Sequence, residues 1–237
     1  MKTKPILLTA LLALTAAFTA HAVPISQGGY VIEKPGAYRL TRNISALVPA
    51  GFGGPVGVAI KANDVELDLA GLTIGPTNSV GIGIYLFEGV RRVRVRNGRI
   101  AGVQFAIVSP ANKTIAGCLF EHLQIQDCTN NCISIEGNEN VIRFCTVTNV
   151  AAQKHGIIVT NKLAGFNEVS DCTVSAGVFA GTGINSALTD GLVVRRCIVK
   201  SFEEGYRVTS GCKLFDNVTM GCATPIFGNP VLMGVNN

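Results

Sequence analysis

Two clusters in the C-terminal half carry side chains able to move protons. Lys154-His155 precedes a Gly-Ile step at 156–157, and Glu203-Glu204 precedes Gly205-Tyr206, with Arg207 beyond. Lys, His and Arg can serve as bases or as clamps for an anion, and a carboxylate can orient them. Lys154, His155, Glu204 and Arg207 are therefore the candidate catalytic residues. A third cluster, Arg91, Arg92, Arg94, Arg96 and Arg99, offers guanidinium forks that match carboxylates. Arg94, Arg96 and Arg99 are its candidates for binding. Each cluster also has a plainer reading, as turn residues at the lip of a coil or as a solvated face of cross-turn ion pairs worth about 0–1 kcal/mol each. No CxxC occurs, and His122 and His155 are the only histidines beyond residue 22, so a metal site has little support.

These residues need elements to hold them. The chain has 237 residues, 48% hydrophobic and 15% charged, with 27 Gly and no Trp. That is ample material for a core and excludes a disordered polyelectrolyte. Lys2 and Lys4, an apolar run from Pro5 to Phe18, and Ala20-His21-Ala22 make a secretory signal peptide spanning 1–22. The run is shorter than the roughly 20 residues a spanning helix needs. An exported protein, secreted or periplasmic, with no membrane span, is expected. Beyond residue 22 there are 18 Lys and Arg against 15 Asp and Glu. This balance is too mild and dispersed for nucleic acid.

Internal repetition is the dominant signal. LAGLTI (69–74), VRNGRI (95–100), FEHLQI (120–125), IRFCTV (142–147), VSDCTV (169–174), VRRCIV (194–199) and FDNVTM (215–220) share one apolar spacing. In phase with it run small-large pairs: Ala59-Ile60, Gly83-Ile84, Ala106-Ile107, Cys132-Ile133, Gly156-Ile157, Gly183-Ile184 and Gly205-Tyr206. Short strands at a constant period, with no helical periodicity, are satisfied by coiling. Each period makes one turn, and each strand pairs in parallel with its equivalent about 4.8 Å along. The expected fold is all-β: a single-stranded right-handed parallel β-helix of about seven to eight turns with capped ends. Residues 23–57 would form the N-terminal cap and a loop projecting at Ala46–Pro55. Residues 58–222 would form the turns and 223–237 the C-terminal cap.

The segments EKPGAYRLTRNI (33–44), VAIKANDVELDLAGLTI (58–74) and GIGIYLFEGVRRVRVRNGRI (81–100) resemble the start of right-handed parallel β-helix repeat proteins of the pectate-lyase-like superfamily. The resemblance covers roughly 30 to 225 and is specific for architecture rather than activity. It implies an exported protein that meets polysaccharide; enzymes of the superfamily include polysaccharide lyases, polygalacturonases and mannuronan epimerases. Its lyases hold calcium with carboxylates on one outer face. The outward residues after the small-large pairs, Lys61, Tyr85, Val108, Ser134, Ile158, Asn185 and Arg207, include no carboxylate, so no calcium cluster is identified and no cofactor is assigned.

Stacking makes further expectations. Asp171 should meet Arg196 one turn on. Cys145, Cys172 and Cys197 should fill an inward column as small hydrophobes, leaving Cys128 with Cys132 and Cys212 with Cys222 as the disulfides to test. His155 and Glu204 should lie two rungs apart with Thr182 between them. Three functions follow: a non-catalytic β-helix that contacts extracellular or periplasmic polysaccharide, a small lyase or epimerase acting on uronate-containing glycans, or a structural or adhesive surface protein. The oligomeric state is not set by these residues.

Overall fold

A computed structural model describes residues 22–76, 81–111, 114–160, 165–187 and 190–236. The expected signal peptide, 1–22, lies outside the described residues except for its last residue. Among the described residues every pairing between strands is parallel, and the chain coils as a solenoid of about seven turns. No helix among them is long and apolar enough to cross a membrane.

Three walls enclose the interior. The first stacks Val58, Ile84, Ile107, Ile133, Ile157, Ile184 and Tyr206 inward. The second stacks Leu67, Val95, Phe120, Ile142, Val169, Val194 and Leu214. On the third stand Ile74, Ile100, Ile125, Val147, Val174 and Val199. These residues are almost fully buried. Like thus rests on like along a dry axis, and burial of about 1.5–3 kcal/mol per large side chain drives the coiling.

The corners are turned by left-handed backbone. Asn97, His122, Phe144, Asp171, Arg196 and Asp216, between the second and third walls, all have φ of 50° to 57°. A second such column, Gly102, Asp127, Asn149, Ser201 and Gly221, follows the third wall. Asn, Asp and Gly adopt this conformation readily, which is why they punctuate the repeat. The small-large pairs have a steric cause. A Cβ on Gly183 would lie 2.2 Å from Val199 Cγ1, and one on Gly83 would lie 2.5 Å from Ile100 Cγ2. At these glycines the backbone closes directly onto the third wall, and the column as a whole takes only small residues.

The repeat is framed differently at its two ends. Ile84 pairs with Val58, so the first small-large pair is Gly57-Val58 and Ala59, not Lys61, stands beside Tyr85. Leu67, not Leu69, pairs with Val95. Both shifts are of two residues, which preserve which side chains point inward and so leave the pattern unchanged. At the other end Leu214 and Thr219, rather than Phe215 and Met220, face Val194 and Val199. Adjacent apolar residues hide this one-residue shift.

The terminal regions are rungs themselves. Tyr30–Ile32 pairs with Val56–Ile60 and Gly36–Leu40 with Val65–Asp68, so residues 23–57 already contribute strands. Thr224–Phe227 and Val231–Met233 pair with the preceding rung, and Leu232 is left 54% exposed. None of the eight cysteines is in a disulfide. Cys145, Cys172 and Cys197 do stack as buried neighbours, their thiols donating to the carbonyls of Arg143, Ser170 and Arg195 at 3.3, 3.1 and 3.4 Å. Cys212 and Cys222 lie at different corners of the coil, before the second wall and after the third, and Cys128 and Cys132 are buried with no covalent bond between their sulfurs. The column ends on Asn217, whose Oδ1 accepts from Cys197 N–H at 2.9 Å while its Nδ2 donates to Val194 O.

Candidate functional site

The outer face of the first wall gathers the C-terminal candidates. Parallel stacking places His155, Thr182 and Glu204 on successive rungs, with Asn185 and Arg207 in the adjacent outward column. Thr182 N–H donates to His155 Nδ1 at 3.1 Å, and Thr182 Oγ1 donates to Glu204 Oε2 at 3.1 Å. Arg207 grips the same carboxylate with both arms, Nε to Oε2 at 2.5 Å and Nη2 to Oε1 at 2.6 Å. Lys154 lies in the turn just before Ile157–Thr160, its carbonyl accepting from Gly181 N–H.

The electrostatics of this ladder favour holding over proton transfer. Burial, then the Arg207 and Lys154 cations, lower the pKa of His155 below its ordinary 6.5, against a smaller opposing pull from Glu204. The imidazole is therefore neutral at pH 7. Because Nδ1 accepts from Thr182, Nε2 carries the proton. The Arg207 fork lowers the Glu204 carboxyl pKa, with help from Thr182, although partial desolvation works the other way. An ionised carboxylate already engaged by a guanidinium is a weak general acid.

Aromatic groups that sequence patterning did not single out flank the ladder. Phe227, 52% exposed, lies under Arg207, with the guanidinium 5.2 Å from the ring centroid. At the N-terminal end Tyr85 and Phe87 meet Phe52 edge to face, with centroids 5.0 to 6.1 Å apart. The available signal was positional: Tyr85 and Phe87 alternate with inward Ile84 and Leu86. Phe52, by contrast, arrives from a loop whose landing place no periodicity specifies.

The Arg cluster divides. Arg92 forks onto Asp64 at 2.6 and 2.8 Å. Arg94 and Arg143 both bind Glu121, a carboxylate only 1% exposed. Arg96 pairs with Glu66 at 2.8 Å and with Asp68 at 3.1 Å. These contacts commit Arg94 and Arg96 to the coil itself. Arg99 has no such carboxylate; its Nε is buried without a partner, and it lines a cavity of about 280 Å³ with Thr73, His122 and Gln124. Asp171 and Arg196 pair as their stacking requires, at 2.7 and 2.8 Å.

Among the described residues no group of three or more His, Cys, Asp or Glu is arranged to hold a metal ion. The carboxylates of the second wall are each matched by arginine, which leaves no ring of oxygens for a hard cation.

Comparison with known proteins agrees with this architecture. No curated protein matches the chain. Among solved structures it is similar to the A-module of the Azotobacter vinelandii mannuronan C-5 epimerase AlgE4. Identity is 15% over 93% of this chain and 75% of that one, with a TM-score of 0.40. The family model for the right-handed beta helix region matches residues 106–227, and with half the chain so matched, this protein belongs to the right-handed β-helix family.

Proposed function

We propose that this is an exported β-helix protein that holds polysaccharide along the outer face of its first wall without cleaving it. One observation carries the reading. His155, Glu204 and Arg207 share that face with half-buried aromatic rings at one end and the exposed Phe227 at the other, and the Glu204 carboxylate is already paired with Arg207. Such a surface carries a neutral, partly buried imidazole, the outer edge of the Arg207 guanidinium and ring faces. That mixture suits the hydroxyls and C–H faces of sugars. The rungs are about 4.8 Å apart and several of them separate the Tyr85 end from Arg207, so the face is extended and suits a linear chain better than a small molecule. Export follows from the leader at 1–22.

Lyase or epimerase chemistry would need a base with a free lone pair beside the uronate carbon. His155 Nδ1 is occupied by Thr182, and Arg207 is committed to Glu204. Retention on immobilised polysaccharides, neutral and uronate-rich, tests the proposal. Wild type is retained on at least one, His155→Ala and Arg207→Ala elute earlier, and no unsaturated ends absorb in the ultraviolet with or without calcium. Absence of retention on all of them removes the reading, and an accumulating unsaturated product replaces it with the lyase.

A further inference from the structure

The segment from Ala46 to Pro55 is more than a projection. Leu47 and Val56 exchange backbone hydrogen bonds at 3.1 and 2.9 Å in an antiparallel bridge, closing the loop at its base. The loop then folds over the first wall, and Phe52 docks against Tyr85 and Phe87. Beneath it is a cavity of about 300 Å³ lined by Gly51, Phe52, Gly53, Gly54, Val56, Ile82, Tyr85 and Phe87. This is the lower end of the size range of small-molecule sites, and none of the lining side chains is ionised. We propose that this cavity is a stacking subsite for a single neutral pyranose ring.

Three features support that ligand class. Tyr85 and Phe87 present aromatic surface, whose electron-rich faces attract the C–H groups on one side of a sugar ring. The sugar's hydroxyls then need polar partners at the rim. The Tyr85 hydroxyl and the Gly53 and Gly54 amides make no hydrogen bond among the described residues. The glycines themselves are informative. A Cβ at Gly53 or Gly54 would meet nothing within 4 Å, and neither has left-handed φ. Neither packing nor backbone conformation therefore demands glycine there, whereas close approach of a ligand to the backbone would. Lys61, the nearest cation, lies 5.0 Å from the Phe87 centroid and 3.5 Å from the Glu33 carboxylate. Its charge is spoken for, and this favours a neutral sugar over a uronate.

This subsite rests on the polysaccharide reading but has its own test. Ligand-observed NMR with neutral gluco-, galacto- and manno-oligosaccharides and with oligogalacturonate measures affinity and shows which sugar protons lie near aromatic ones. At least one neutral probe should bind with saturation passing to its ring C–H protons. Tyr85→Ala and Phe52→Ala should each weaken it about tenfold. Tyr85→Phe, which keeps the ring, should retain most of the affinity, and Phe144→Ala, an exposed ring on another face, should change nothing. Failure of all neutral probes, preference for oligogalacturonate, or unchanged affinity in both alanine variants overturns the subsite. Polymer retention that depends on Arg207 while Tyr85→Ala is silent would leave the first-wall reading standing alone. Loss of oligosaccharide binding in Tyr85→Ala without any polymer retention would do the reverse.

Discussion

At the scale of residues, the charges matter most where they are buried against partners. Glu121 is enclosed between Arg94 and Arg143, whose guanidiniums outweigh the desolvation that opposes its ionisation and hold its carboxyl below the ordinary 4.5. Glu121→Gln keeps the shape and removes the charge, leaving one arginine on the amide oxygen and the other facing an amide N–H donor. With both arginines substantially exposed, solvent screens the loss. The expected cost is about 1–2 kcal/mol, a fall of several degrees in Tm by circular dichroism. The same shift fixes an acid response. Since the folded carboxyl titrates below the unfolded one, its stabilisation is complete above about pH 4.5 and is lost as pH falls through the lower folded value. Asp64, Asp171 and Glu204 are lowered in the same direction by their arginines. Tm should therefore ease down below about pH 6.5, where the unfolded chain protonates His155 more readily than the fold does, and drop steeply below about pH 4. An unchanged Tm at pH 3 would show that these pairs contribute nothing to stability.

At the scale of elements, the repeat is a set of steric rules applied once per rung. The column Gly57, Gly83, Ala106, Cys132, Gly156, Gly183 and Gly205 is small because the first wall begins against the side chains of the third. In Gly183→Ala the new methyl would lie 2.2 Å from Val199 Cγ1 and 2.8 Å from Gly205 O, one of them unyielding backbone. Overpacking of this kind costs about 1–3 kcal/mol. Gly75→Ala, where a Cβ meets nothing within 4 Å, should leave urea unfolding unchanged. Equal midpoints for the two variants would mean the wall relaxes freely. Ala106 occupies the same column natively, so the contact distance varies from rung to rung rather than being set by the repeat alone.

At the scale of the molecule, a solenoid is quasi-one-dimensional: each rung is stabilised by its two neighbours. A central strand such as Ile133–Asn138 has partners on both sides, whereas Val231–Met233 has a partner on one side only and all three of its residues exposed. Hydrogen exchange should be slowest between Ile107 and Val174 and fastest in 224–236, with opening that spreads inward from the C-terminal rung. Uniform protection along the axis would instead indicate one cooperative block.

The amino-acid sequence alone determined the architecture, because coiling imposes one constraint per rung and repeats it. Small residues before large ones, Asn or Asp at bends and aliphatics at constant spacing are local requirements that each rung must meet from its own segment. Stacking then made the Asp171–Arg196 pair, the Cys145–Cys172–Cys197 column and the His155–Thr182–Glu204 ladder legible before any coordinates, since in-register neighbours follow from counting along the repeat. Only the tertiary structure decided the frame at the two ends, where period-two shifts conserve the inward pattern and hydrophobicity cannot choose between Leu67 and Leu69. It alone also decided the partner of Arg94, which reaches diagonally to Glu121, and the landing of Phe52 on Tyr85. Long side chains and loops choose partners by reach across rungs, and a linear repeat holds no record of that choice.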